Sequence, residues 1–157
     1  MSRIKKCTGS ISRVIAARLA PGCDLAESIE TIAEEENITS GVILSGAASL
    51  RKAVLRNVGS FPGKFPITDD VRVFLTRTDP LELLALSGNI STREGSLHLH
   101  CHAVVSSGEE EGRAYGGHLM KGTEIFSTGE IVLAEITGCE MIRLEDPETK
   151  SAELHFQ

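Results

Sequence analysis

The chain has 157 residues, 41% hydrophobic and 24% charged, which is the size and make-up of one globular domain and excludes a disordered or fibrous chain. Folding at this length removes roughly 70% of the unfolded chain's surface, so a core forms without disulfide staples. Sixteen Lys+Arg against 22 Asp+Glu give a formal charge of −6, which excludes a whole-surface phosphate binder but leaves room for a local basic patch. With five Phe, one Tyr and no Trp, the core falls to Val, Ile, Leu and Ala, and base stacking on aromatic platforms is disfavoured.

Arg3, Lys5, Lys6, Arg13 and Arg18 fall in the first 23 residues, before any acid. Residues 1–11 read as a solvated basic arm that runs into a charged edge strand. No secretory segment is expected, because Val14-Ile15-Ala16-Ala17 is cut short by Arg18, and no run of ~18 apolar residues spans a membrane. Cys7, Cys23, Cys101 and Cys139 lie far apart without a C-x-x-C pair and read as reduced, mostly buried thiols of a cytoplasmic protein.

Residues 12–19 predict a strand, stopped by Pro21-Gly22. Asp24 then opens a helix that it can cap itself, with Glu27 three residues on. Leu25, Ile29, Ile32 and Ala33 make its apolar stripe, Glu27, Glu30, Glu34 and Glu35 face water, and Asn37 ends it. Ser40 to Leu44 predicts a short strand entering a small-residue turn, Ser45-Gly46-Ala47-Ala48, and Ala53 to Val58 a further strand. Residues 59–66 are a loop by their Pro and Gly content, and Val71, Val73 and Leu75 mark a half-buried strand. Leu81 to Ser91 and Ser96 to Ser106 flank the turn Thr92–Gly95 and predict a β-hairpin. Glu109-Glu110-Glu111 reads as an exposed turn, Glu130 to Ile136 as a last strand, and residues 146–157 as a loose polar tail. One helix with about seven strands is a single, mainly antiparallel α+β domain over residues 12–145.

His98, His100 and His102 recur every second residue, so on a strand their imidazoles share one face while Leu97, Leu99, Cys101, Ala103 and Val105 take the other. Histidines two apart on a strand lie ~6.5–7 Å apart at Cα and can converge on one ion. His118 follows Gly116-Gly117, which lets the backbone turn tightly and approach another segment. Three imidazoles and a free position describe a site for Zn²⁺ or a similar ion. Among the five histidines, His98 is the bystander candidate and His155 is unrelated. A cupin reading fails, because Glu109 lies too far beyond His100-x-His102 and the second cupin motif is absent.

Three ordered segments carry a family resemblance. Pro80-Leu-Glu-Leu-Leu-Ala-Leu-Ser-Gly-Asn-Ile90, His100-Cys-His102-Ala-Val-Val-Ser106 and Gly112-Arg-Ala-Tyr-Gly-Gly-His-Leu119 together resemble the plant- and prokaryote-conserved (PPC) domain over residues 12–138, with Ser45-Gly46-Ala47 similar to its Gly-Ala segment. The resemblance implies an α+β homotrimer, described in prokaryotes as DNA-binding or regulatory, with His100, His102 and His118 as metal ligands; zinc is the ion expected of such an imidazole set. It also implies partner contact through a segment like Leu81 to Leu86. Two departures stand out: His98 is additional, and the turn Ser107–Glu111 is longer than the family's. The Arg-Gly-Arg-Pro core of the plant proteins' AT-hook is missing, which removes that route to DNA.

Two function classes follow. One is a metal-stabilised trimeric module associated with DNA or a regulatory protein partner, with a closed coordination shell. The other is a small metal-dependent enzyme, with water on the open position and a base such as one of Glu109–Glu111. No phosphate loop, nucleophile motif or dinucleotide fingerprint competes, and the sequence decides neither the catalytic residues nor whether the protein is an enzyme.

Overall fold

The structure, a computed structural model, describes residues 4–157; Arg3 of the basic arm lies outside the described residues. In chain order the elements are β1 (Ser10–Leu19), α1 (Leu25–Glu35), β2 (Gly41–Val58), β3 (Arg72–Arg77), β4 (Leu81–Arg93), β5 (Ser96–Ser107), β6 (Arg113–Leu119), β7 (Glu124–Thr137), β8 (Met141–Glu145) and β9 (Ala152–Phe156). They build one mainly antiparallel sheet in the order β1-β7-β2-β6-β5-β4-β8-β9, with β3 added on β2. Because β2 pairs with both β4 and β6, the strands β2, β6, β5 and β4 close into a ring. The α+β class is as expected, with nine strands in place of seven.

Helix α1 forms as the sequence dictates. The Asp24 carboxylate accepts the Glu27 amide at 2.9 Å, which satisfies one of the helix's unpaired N–H groups. Leu25, Ala26, Ile29 and Ala33 are buried. Leu25, Ile29 and Ala33 meet Leu50, Leu55, Ile90, Val105, Ile125 and Leu133 in one core, each such Leu or Ile gaining ~1.5–3 kcal/mol from burial. Asn37 closes the helix in the left-handed region (φ 55°). Glu30, expected in water, is half-buried and pairs with Lys121 at 2.8 Å.

Three local expectations are corrected. Ser45–Ala48 is no turn but the middle of the 18-residue strand β2. Its small residues serve packing: a Cβ on Gly46 would sit 2.8 Å from Leu86 Cδ2, and a register shift against β7 occurs between Ile43 and Ser45. Residues 152–156, expected to be loose, form β9, whose Leu154 lies opposite Arg143 of β8. Val73 and Phe74 of β3 are both exposed, because β3 hangs on β2 outside the main path of the sheet. The hairpin β4–β5 is present and turns through Glu94 (φ 52°) and Gly95 (φ 80°), the positive angles a tight hairpin needs. Among the described residues no helix is long and apolar enough to cross a membrane.

The cysteines are free, but only Cys101 and Cys139 are buried. Cys7 is exposed and Cys23 half-buried. Burial pushes the Cys101 thiol up to about 12, so it is inert packing. Two of the basic N-terminal side chains, Lys5 and Arg13, pair with acids of the fold. Lys5 lies 3.5 Å from Asp146, while Arg13 binds Glu36 at 2.7 Å and Glu135 at 2.8 Å.

Candidate metal centre

Strand register assembles the histidines. On β5, His100 and His102 project to one side while Cys101, Ala103 and Val105 are buried on the other. Strand β6 pairs antiparallel to β5 with His118 directly opposite His102. On its other edge, His118 lies opposite Arg56 of β2. Gly116 and Gly117 stand within β6 at ordinary negative φ, so no turn occurs there. The close approach is real, since a Cβ on Gly117 would lie 2.9 Å from the Arg56 carbonyl oxygen.

His100, His102 and His118 bring one ring nitrogen each within 4.8 Å of the others. The Nε2 atoms of His100 and His102 are 3.3 Å apart. That equals the edge of a tetrahedron with metal–nitrogen bonds of ~2.0–2.1 Å, about 3.3–3.4 Å. The rings crowd together, with centroids 4.9 Å apart for His100–His118 and 4.2 Å for His102–His118. No carboxylate or thiolate joins the group among the described residues. Three neutral imidazoles on rigid strands suit Zn²⁺ or a similar borderline ion and leave room for a further ligand.

Protonation favours the neutral rings a metal requires. Burial, followed by the nearby charges of His102, Arg56 and His100, pushes His118 down to about 4. Burial and then Arg143 lower His100 as well. The Arg143 guanidinium donates to His100 Nδ1 at 3.1 Å and to Asn89 Oδ1 at 2.9 Å. Since arginine only donates, His100 Nδ1 accepts and the Nε2 proton points to His102. A metal held at that Nε2 would need the ring's proton on Nδ1 instead, and the Arg143 contact would then have to give way.

His98 stands apart from the trio and lines the adjoining cavity, and His155 meets Lys5 at 3.2 Å. The acidic turn is elsewhere: Glu110 accepts from Tyr115 at 2.5 Å and pairs with Arg77 at 2.7 Å. It follows Ser107, five residues beyond His102 and so ~17 Å along the strand, and cannot serve the histidines as a base. Sequence reasoning missed Arg143, Asn89 and Arg56. The only signal was a lone arginine inside the apolar run Met141–Leu144, a segment without a motif.

The chain belongs to the Plants and Prokaryotes Conserved (PCC) domain family, whose family model matches residues 7–137. It is similar in structure to a metal-containing protein of Archaeoglobus fulgidus, at 27% identity over 96% of this chain and 99% of that one, TM-score 0.78. A plant- and prokaryote-conserved (PPC) protein of Pyrococcus horikoshii shares the fold at 23% identity, covering 95% and 96% of the two chains, TM-score 0.77. In sequence the chain is 36% identical over 150 residues to the bifunctional protein GlmU of Synechococcus sp. (strain JA-3-3Ab). That match takes in 96% of this chain but only 21% of the relative, so the chain spans about a fifth of that protein.

Proposed function

We propose that this PPC-domain protein binds a divalent metal, zinc by its ligand chemistry, on His100, His102 and His118, with one coordination position open to a cavity. The observation that carries this reading is the convergence of three ring nitrogens within 4.8 Å beside a cavity of about 700 Å³ lined by His100 and His118. A closed structural site would need a fourth protein ligand, and no thiolate or carboxylate joins the trio among the described residues. The metal-containing relative from Archaeoglobus fulgidus supports the same reading. When bound, the ion would supply Lewis-acid polarisation of an oxygen ligand, the capacity of a small metal-dependent enzyme. The chain's own part is to hold neutral imidazoles on two paired strands and to keep the acidic turn away from them.

The second reading, a trimeric module for DNA or a regulatory protein, rests on family membership. Exposed Leu44, Leu84, Val104 and Phe126, on the neighbouring strands β2, β4, β5 and β7, offer apolar surface for self-association. Plasma mass spectrometry on untagged protein, with His100→Ala and His118→Ala beside wild type, tests the metal reading. About one metal per chain, lost in both variants, is expected. A wild-type protein that stays metal-free after zinc is supplied overturns it.

A further inference from the structure

We propose that the cavity beside the three histidines is a binding site for a small, multiply anionic molecule, a dicarboxylate or a phosphate ester, gripped by Arg143 and Arg56. The proposal deepens the metal reading by naming the ligand class of the same site, yet its anion contacts do not depend on the metal. The chain is acidic overall, at −6, but five cationic side chains line this one cavity. Its two lining carboxylates, Glu30 and Glu153, do not balance them. Three of the cations already have a carboxylate partner: Lys121 in Glu30 at 2.8 Å, Arg72 in Asp69 at 2.6 Å and Arg93 in Glu94 at 3.8 Å.

The other two differ. Arg143 is 6% exposed, and its hydrogen-bond partners are all neutral: Asn89 Oδ1, Ser91 Oγ and His100 Nδ1. Among the described residues Arg143 has no ion-pair partner within 4.0 Å, and the charge of Glu153 attracts it from farther away. A buried guanidinium held by neutral acceptors is costly unless an anion completes its surroundings. Arg56 is half-buried, has no ion-pair partner within 4.0 Å among the described residues and feels the like charge of Arg72. Its backbone position faces His118, Arg143 touches His100, and both arginines line the cavity together with these two histidines. Arginine's planar fork suits carboxylate and phosphate oxygens. At about 700 Å³ the cavity falls within the ~300–1,000 Å³ of small-molecule sites.

Calorimetric titration of the full chain with inorganic phosphate and, separately, with succinate tests this, in chelator-treated and in zinc-loaded protein. Saturable binding of at least one probe to the chelator-treated protein is expected, weakened about tenfold or more in Arg56→Gln and in Arg143→Gln. The stronger probe assigns phosphate or carboxylate as the ligand chemistry. Arg56 is the less buried, so Arg56→Gln reports even where Arg143→Gln does not fold. The proposal is overturned if neither probe binds the chelator-treated protein, or if Arg56→Gln binds as wild type. Failure of the metal reading shows separately, as absence of zinc from a protein that still binds the anion.

Discussion

His118 is the residue on which the site's chemistry turns, because two strand pairings and a charge pattern meet there. It faces His102 across β5–β6 and Arg56 across β2–β6, and burial with these neighbours holds it down to about 4 against an ordinary ~6.5. The unfolded chain therefore takes up a proton as pH falls through ~6.5, while the folded, metal-free protein resists until about 4. Stability of the metal-free form is expected to be flat above pH ~6.5 and to fall between there and about 4, on account of this residue. Urea midpoints at pH 7.5, 6 and 5 measure the slope, and His118→Asn should flatten it. A slope unchanged by His118→Asn would show that the ring is not held neutral by its surroundings. The same burial disfavours the charged imidazolium of His100 and His118, the form that cannot ligate a metal.

At the scale of elements, strand β6 is placed by Gly117. Its hydrogen atom lets β6 lie against β2 where a methyl would meet the Arg56 carbonyl at 2.9 Å and the Asn57 side chain at 2.8 Å. Gly117→Ala is expected to cost about 1–2 kcal/mol, or about 2–8 °C in Tm. By shifting His118 it should also weaken zinc at least ~10-fold, measured against a chelating dye. Unchanged zinc affinity would mean that the strand does not set the ligand's position. The His-x-His alternation was legible in the sequence because strand period fixes facing directly, whereas the tight turn read at Gly116-Gly117 was not there: register of β6 on β5 brings His118 opposite His102. The helix was equally legible, since its cap and apolar stripe are local. The continuity of β2 was not: Ser45-Gly46-Ala47-Ala48 has turn composition, and only the side chain of Leu86 on β4 explains why the residues are small. Strand β9 was hidden likewise, because its polar sequence is ordered by pairing with β8.

For the molecule as a whole, ring closure through β2, β6, β5 and β4 is what sequence could not show, since it depends on contacts far apart in the chain. That closure brings Arg56 to the histidines, and β8 adds Arg143 from the segment next to the supposed tail. The proposed homotrimer of 16.8 kDa chains predicts a solution mass of roughly 50 kDa. Leu84→Glu, which places charge on an exposed apolar position of β4, should lower it, as read by light scattering. A monomeric wild type would remove assembly from the account and leave the metal centre untouched.

The central claim, three histidines holding a metal with a free position, is tested most directly by cobalt(II) titration of the metal-free protein followed by azide. The account predicts visible bands that saturate at about one cobalt per chain, are absent in His102→Ala and shift when azide enters the open position. No bands beyond those of the free ion, or bands that azide leaves unchanged, would contradict it.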